Sequence, residues 1–167
     1  MSLSKVVVSD EGIAVAQKFQ KHHGGVNFAS FKFSSDMKSV VLDHVLSSEE
    51  SSTGKEGFDL AMSKLLYVKH RFFTCFLNPL LFRSPSPSFV LVKIEYESIT
   101  DKTMRSASAM IMYVPNGSSI KEKMLATMSA KPVSMILNGG MTIQACSVEE
   151  ASYESILGHI LARKSVK

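Results

Sequence analysis

The sequence has no tryptophan and only two cysteines among its 167 residues, Cys75 and Cys146. Two isolated cysteines cannot build the disulfide framework of a small secreted domain, and no CxxC pair provides the spacing of a zinc site. Both cysteines suit a reducing compartment, as does an N-terminus without the long apolar core of a secretion signal. These features predict a cytoplasmic protein.

Long apolar runs and phosphate-binding loops are also lacking. The most apolar stretch, 65–82, is interrupted by charged residues and by Asn78-Pro79, so no transmembrane segment is expected. The pairs Gly24-Gly25 and Gly139-Gly140 have neither the Lys-Ser/Thr ending of a P-loop nor GxGxxG spacing. No nucleotide cofactor is predicted.

Charge of one sign is not concentrated anywhere in the chain. The net charge is +4, the basic residues are dispersed, and no aromatic-basic repeat is present, so no nucleic-acid partner is expected. A modest basic excess fits an acidic protein partner, an anionic membrane surface or ordinary solubilising charge. The histidines have no i, i+4 partner of their own kind, so no metal site is predicted.

The residues that are present describe one folded domain spanning 1–167, with 45% apolar and 20% charged residues. The fold class predicted is α/β (α+β), with a central mixed β-sheet of about five strands flanked by helices on both faces. The first two strands should be antiparallel, and the last should pair in parallel after a helical crossover. An atypically long segment at 67–88 ends in Arg83-Ser-Pro-Ser-Pro-Ser88 and fits no regular element. The predicted strands are 26–33, 39–46, 89–96, 106–114 and 141–146.

Two Ser-x-x-Glu patterns predict helix starts. Ser119 with Glu122, and Ser147 with Glu150, are spaced as capping boxes, in which each side chain bonds the backbone N–H of the other residue. The first box predicts a helix from Ile120 onward. Pro132 lies inside that helix and would remove a hydrogen bond, so a kink is predicted near 128–129. Ser129 would then cap a second helical segment.

Several motifs occur in an order that resembles the ADF/cofilin family. The run Tyr113-Val-Pro-Asn-Gly-Ser-Ser-Ile-Lys-Glu-Lys-Met124 resembles the family's passage from a strand into its main actin-binding helix. The opening Ser4-Lys-Val-Val-Val-Ser-Asp-Glu11 is similar to the cofilin N-terminus, and Tyr153-Glu-Ser-Ile-Leu157 to the family's last helix. The resemblance implies an ADF-homology domain that binds actin, that is not an enzyme and that uses no cofactor.

The resemblance also implies two contact surfaces. It assigns filament contacts to Lys102 and Arg105, and regulatory phosphorylation to Ser4. From the residues alone, packing of Met124 and Met128 in the core would be the stronger expectation, and only the resemblance favours an interface. The expected partners are monomeric actin, filaments more weakly, and phosphoinositides, for a monomeric protein of the cytoplasm and cytoskeleton. The actin-binding residues implied are Ser4, Lys5, Val6, Ile120, Lys121, Lys123, Met124, Thr127 and Met128.

Several departures from the family pattern affect the filament surface. Tyr113 replaces the usual Trp, Ala130 replaces a basic residue, and Ser134-Met135 replaces a basic pair. Binding to monomers is therefore the stronger expectation, and binding to filaments the weaker. Two alternatives stay open: a coactosin-like or glia-maturation-factor-like protein with another cytoskeletal partner, and a small cysteine hydrolase that uses Cys75 or Cys146.

Overall fold

The computed structural model describes residues 6–21, 25–47, 55–62, 86–98, 102–147 and 149–164. Within these ranges the chain forms six strands and four helices. The predicted segment 67–88 lies outside the described residues, apart from 86–88. In chain order the elements are β1 (Val7–Val8), α1 (Asp10–Gln20), β2 (Val26–Phe33), β3 (Ser39–Ser47), α2 (Lys55–Met62), β4 (Ser88–Glu97), β5 (Met104–Tyr113), α3 (Ile120–Leu137), β6 (Met141–Ala145) and α4 (Tyr153–Lys164).

The strands form one mixed sheet in the order β1-β3-β2-β4-β5-β6. The β2–β3, β2–β4 and β4–β5 pairs are antiparallel, whereas β6 runs parallel to β5. This confirms the predicted mixed sheet, its first hairpin and its parallel crossover. The sheet has one strand more than the predicted five because Val7–Val8, which was not among the predicted strands, pairs in parallel with β3.

The sheet separates two apolar cores because successive strand residues point to opposite faces. On β4, Phe89 and Leu91 pack with α1 and α3, and the alternate residues from Val90 to Tyr96 pack with α2 and α4. The prediction of helices on both faces is therefore confirmed. This arrangement leaves α3 with one side against the sheet and the other toward solvent.

The first helix begins at a serine side-chain cap. Ser9 is the N-cap of α1, and its Oγ accepts a hydrogen bond from the Gly12 backbone N–H at 3.2 Å. Asp10 and Glu11 lie in the first turn, where their charges favour the positive end of the helix dipole. These contacts fix the direction in which the N-terminal strand leads into α1.

Packing of α2 against α4 depends on aromatic rings. The Phe58 ring lies edge-to-face with Phe28 and with Tyr153, each at a centroid distance of 5.7 Å. The Tyr153 hydroxyl donates to the Glu95 carbonyl at 2.8 Å, which ties α4 to the sheet. Lys55 and Glu154 add an ion pair between the two helices.

The second capping box does not start the last helix. Glu150 N–H donates to Ser147 Oγ at 3.2 Å, but the Glu150 carboxylate accepts from the Cys146 backbone N–H and not from Ser147. A turn over 149–152 follows, and α4 begins only at Tyr153. Ser147 and Glu150 therefore do contact each other, but their hydrogen bonds close a turn that precedes α4 and do not cap the helix itself.

The predicted recapping of α3 at Ser129 is wrong. The helix is continuous from Ile120 to Leu137, and the buried Ser129 Oγ has no hydrogen-bond partner among the described residues. Pro132 is exposed, and as a proline it has no backbone N–H to donate to the Met128 carbonyl. The helix ends at Leu137, with Asn138 as its C-cap in the left-handed conformation. No helix in the described ranges is long and apolar enough to cross a membrane.

Candidate functional site

The start of α3 is fixed by a complete capping box. Ser119 Oγ accepts from the Glu122 backbone N–H at 3.3 Å, and Glu122 Oε2 accepts from the Ser119 backbone N–H at 2.9 Å. The preceding turn is closed by Ser118 N–H, which donates to the Pro115 carbonyl at 3.0 Å. Because both ends of the cap are satisfied, the first helical turn, which carries Ile120 and Lys121, has a defined orientation.

Removal of this cap is expected to destabilise the domain. Ser119→Ala should lower the free energy of unfolding by about 1 kcal/mol, because the Glu122 N–H loses its side-chain acceptor. Ser119→Asp, which keeps an acceptor, is the matched control and should unfold like the wild type. Urea unfolding followed by circular dichroism measures both variants. Equal stability of Ser119→Ala and the wild type would contradict the role of the cap.

The buried side of α3 carries small residues in its first half and branched apolar residues in its second half. Ala126, Ser129, Val133 and Leu137 are fully buried and recur every three or four positions, as one face of a helix requires. They pack against the sheet face that also carries α1. Gln20 Nε2 of α1 donates to the Leu137 carbonyl at 3.3 Å and joins the ends of the two helices. Small side chains permit α3 to lie close to the sheet.

The opposite side of α3 carries large apolar side chains in solvent. The exposed fractions are 78% for Ile120, 60% for Met124, 54% for Met128 and 74% for Met135. At about 100° per residue, the four fall within a sector about 80° wide. The alternative that Met124 and Met128 pack in the core is therefore wrong. We call these four residues the exposed ridge, although the exposed Lys131 lies in the same sector between Met128 and Met135. Large apolar side chains exposed together in this way are typical of an interaction site.

Polar and basic residues flank the ridge. Lys123 Nζ donates to the Asn116 carbonyl at 2.9 Å, and Thr127 Oγ1 donates to the Lys123 carbonyl at 2.9 Å. Lys121 and Lys131 are exposed. The one acidic residue of α3, Glu122, has its carboxylate engaged by the cap. The surroundings of the ridge are therefore positively charged.

The remaining predicted contact residues lie elsewhere. Val6 is half-buried and packs against the core beneath α1 and α3, whereas Ser4 and Lys5 lie outside the described residues. Lys102 and Arg105 are exposed at the start of β5, and α3 follows its other end. A strand of this length covers about 33 Å. The structure thus brings together six predicted residues on α3 and places the predicted filament contacts at the opposite end of β5 from the start of that helix.

Met135 is a member of the ridge that the sequence analysis missed. It was noted only as the loss of a basic residue. The spacing from Met124 could have identified Met135 from the sequence. Eleven residues make about three helical turns, so Met135 lies on nearly the same face as Met124.

The cysteine alternative finds no support in the contacts of Cys146. Its Sγ accepts a long hydrogen bond, 3.8 Å, from Gln144 Nε2, which is an amide and not the imidazole that a Cys–His hydrolase uses. Cys75 lies outside the described residues. In the described part of the chain, no cluster of three or more His, Cys, Asp or Glu side chains could hold a metal ion.

Comparison with known proteins shows the family. The family of cofilin/tropomyosin-type actin-binding proteins matches residues 5–161, and the chain belongs to this family. No curated protein sequence matches the chain significantly.

Solved structures share the fold at low identity. The ADF-like UNC-60A protein of Caenorhabditis elegans is similar with a TM-score of 0.69 at 17% identity, over 96% of each chain. Coactosin from Entamoeba histolytica gives 0.67 at 12% identity, over 97% of this chain and 99% of that one. Glia maturation factor from Caenorhabditis elegans gives 0.61 at 18% identity, over 95% and 97%. At these identities the likenesses show the ADF-homology fold alone.

Proposed function

We propose that this protein binds monomeric actin through the exposed ridge of α3 and thereby regulates filament turnover. The observation that carries the proposal is that Met124 and Met128 stand in solvent on a helix whose other side is buried. Such a helix fits the helix-in-groove mode of recognition, in which apolar side chains spaced by four residues enter a hydrophobic groove. Membership of a family described as actin-binding supports actin as the protein that carries this groove.

The methionines suit this role for a physical reason. A thioether side chain is unbranched and polarisable, so it adapts to an irregular groove more readily than a branched side chain. Exposure of these residues in the free protein is unfavourable and is relieved on binding, which contributes to affinity. We propose that Lys121 and Lys123 steer the helix toward an acidic partner. We also propose that Ile120 and Thr127 contact that partner directly.

The test of this function is a pair of assays on the wild-type protein. The account predicts that it inhibits nucleotide exchange on monomeric actin and that it shortens filaments in a disassembly assay. The absence of an effect in both assays would refute actin binding. The other expectations stay predictions. They are contacts by Ser4, Lys5 and Val6, phosphorylation of Ser4, a monomeric state, phosphoinositide binding and a cytoplasmic location at the cytoskeleton.

Filament binding is proposed to be the weaker activity and to use Lys102 and Arg105. The double reversal Lys102→Glu/Arg105→Glu should reduce co-sedimentation with filaments about tenfold, since like charges would then face an acidic surface. Affinity for monomers should remain, because Lys102 and Arg105 lie at the opposite end of β5 from the start of α3, which carries Ile120 and Met124. The charge-matched control is Lys21→Glu/Lys38→Glu, at two other exposed lysines. Equal losses in both double variants would show a general charge effect instead of a filament site.

A coactosin-like or glia-maturation-factor-like activity is the second candidate, because structures of both kinds share the fold over nearly the whole chain. A branch-disassembly assay separates it from the first proposal. Removal of branches without any effect on actin monomers would favour the second candidate.

A further inference from the structure

We propose that the outer edge of β6 binds an extended peptide segment that carries a positive charge on its N-terminal side. Among the described strands β6 pairs with β5 alone, at the end of the sheet, so its other edge faces away from the sheet. An exposed strand edge can receive a further strand, and main-chain hydrogen bonds then supply the affinity. The inference goes beyond the proposed function, because it concerns a second surface and a second partner.

The hydrogen bonds around β6 show which of its backbone groups point outward. Val114 N–H donates to the Ala145 carbonyl at 2.8 Å, so the backbone groups of Ala145 point toward β5. Because this direction alternates along a strand, those of Ile143 also point toward β5, whereas those of Thr142 and Gln144 point outward. In the part of the chain that the structure describes, the outward N–H and C=O groups have no partner. They offer two donors and two acceptors to an added strand.

A carboxylate marks the C-terminal end of this free edge. The next outward donor, the Cys146 N–H, bonds Glu150 Oε2 at 2.6 Å, so the Glu150 carboxylate lies in the row that an added strand would occupy. Glu149 is also exposed, and hydrogen bonds from its own backbone N–H and from Ser147 lower the pKa of its carboxyl. Neither carboxylate forms an ion pair with a described residue. The end of the edge is therefore negatively charged.

β6 carries none of the features that protect an edge strand from pairing. Its five residues include no charge and no proline, and its pairing with β5 shows no register shift. The opposite end of the sheet differs, because β1 covers the start of β3 and because β3 has register shifts against β2. A further strand can therefore be added in register at β6.

The surroundings of β6 favour a single extended chain over a second folded copy. α3 contacts β6 from one face of the sheet, and α4 contacts it from the other. A second copy would bring its own α3 and α4 to the same two sides, where four helices would compete for the space beside two strands. The edge is only about 17 Å long. A contact of this length buries far less than the area of about 1,600 Å² that is usual for stable protein interfaces.

The direction and the side chains of the ligand follow from these positions. Antiparallel pairing is the more stable kind, and it places the N-terminal side of the ligand at Glu150. A lysine or arginine there would pair with the carboxylates. Opposite Ile143, whose side chain belongs to the core beneath α4, we expect an apolar residue. Hydroxyl side chains suit the positions opposite the exposed Thr142 and Gln144.

The probe is a fluorescently labelled peptide, acetyl-Lys-Val-Thr-Val-Thr-Val-amide, and its binding to the full chain is measured by fluorescence anisotropy. We expect a Kd of about 100 µM, since only a few main-chain hydrogen bonds and one ion pair contribute. Methylation of both threonine nitrogens should abolish binding, because it removes the donors to the Thr142 and Gln144 carbonyls. No binding of the unmethylated peptide to the wild type at about 1 mM, or equal binding of the methylated one, would overturn the proposal.

The reversed peptide, acetyl-Val-Thr-Val-Thr-Val-Lys-amide, has the same composition and tests the direction. It should bind at least about fivefold more weakly, because antiparallel pairing would hold its lysine away from the carboxylates. Equal affinities of the two peptides would overturn the placement of the charge on the N-terminal side.

Thr142→Pro tests the edge from the side of the protein. The N–H at this position points outward, so proline removes a donor to the ligand and none to β5. The affinity for the probe should fall at least about tenfold. Thr142→Ala, which keeps the backbone N–H, is the matched control and should bind like the wild type. Unchanged affinity of a folded Thr142→Pro variant would overturn the proposal; if this variant does not fold, the methylated peptide tests the same edge.

The charge at the end of the edge has its own variant. Glu150→Gln removes the charge and keeps an acceptor for the Cys146 N–H, so it should weaken binding of the probe about threefold at low ionic strength and less at high ionic strength. Glu97→Gln, at the exposed end of β4, is the control and should have no effect. Unchanged affinity of Glu150→Gln at low salt would overturn the basic ligand. Self-association of the wild type in sedimentation equilibrium that Thr142→Pro abolishes would assign the edge to a second copy and overturn the proposal.

Discussion

Replacement of Met124 and Met128 together by glutamate is expected to reduce the affinity for monomeric actin by at least about 100-fold, because two ionised carboxylates would have to enter an apolar groove. The stability of the fold should hardly change. Both side chains are mostly exposed, and glutamate is a good helix former, so the free energy of unfolding should stay within about 0.5 kcal/mol of the wild type. Calorimetric titration and urea unfolding measure the two quantities.

The control for this variant carries the same change in net charge. Ala14→Glu and Gln17→Glu place two carboxylates at exposed positions of α1, outside the ridge residues of α3. This double variant should bind actin within about threefold of the wild type, since only long-range electrostatics changes. A loss equal to that of the methionine variant would mean that charge, and not the ridge, determines binding. Wild-type affinity of the Met124→Glu/Met128→Glu variant would remove α3 from the interface.

The second large effect is expected in the core, where Phe58→Ala should lower the free energy of unfolding by about 3–5 kcal/mol. Phe58 is fully buried, and its ring contacts those of Phe28 and Tyr153 edge-to-face. Truncation therefore removes apolar burial and two aromatic contacts and leaves a cavity between α2, α4 and the sheet. For a domain of this size, the melting temperature should fall by about 10 °C.

Phe58→Leu is the matched control, because it retains much of the side-chain volume and should lose less than half as much stability. The folded fraction of either variant should bind actin normally, since α2 and α4 pack on the sheet face opposite to α3. A melting temperature of Phe58→Ala equal to that of the wild type would contradict the described packing of α2. Loss of actin affinity in the folded variant would contradict the separation of core and site.

Strands and helix starts could be predicted from sequence because they depend on local patterns. The bounds of β2 at Val26 and Phe33 were predicted correctly, since alternating and β-branched residues are framed by glycine and serine turns. The start of α3 at Ile120 follows from a cap that needs only Ser119 and Glu122. The ADF/cofilin family could also be recognised from the order of short motifs in the sequence.

The position of the ridge could not be predicted from periodicity. α3 is apolar on two opposite sides, and hydrophobicity alone would bury Met124 before Ala126 or Ser129. The structure does the reverse, because small residues allow the helix to lie close to the sheet and leave the large ones outside. Only the resemblance favoured an exposed Met124, and it did not extend to Met135.

Two local predictions failed where tertiary contacts outweighed a sequence signal. Ser129 was assigned a capping role, but burial of its side of the helix against the sheet holds it inside a continuous α3. Glu150 was expected to reach the backbone of Ser147, yet its carboxylate bonds the Cys146 N–H, and a turn intervenes before α4. In both cases the residue type is one that caps helices, but the predicted hydrogen bond does not form. Sequence spacing alone does not determine which backbone group a side chain contacts.

The central claim is that the exposed ridge of α3 is an actin-binding surface, and titration of monomeric actin with the wild-type protein in a calorimeter tests it most directly. The account predicts a one-to-one complex with a negative heat-capacity change, the mark of apolar burial, as Ile120, Met124 and Met128 leave water. A titration that shows no complex with monomeric actin, or a complex whose heat-capacity change is zero, would contradict it.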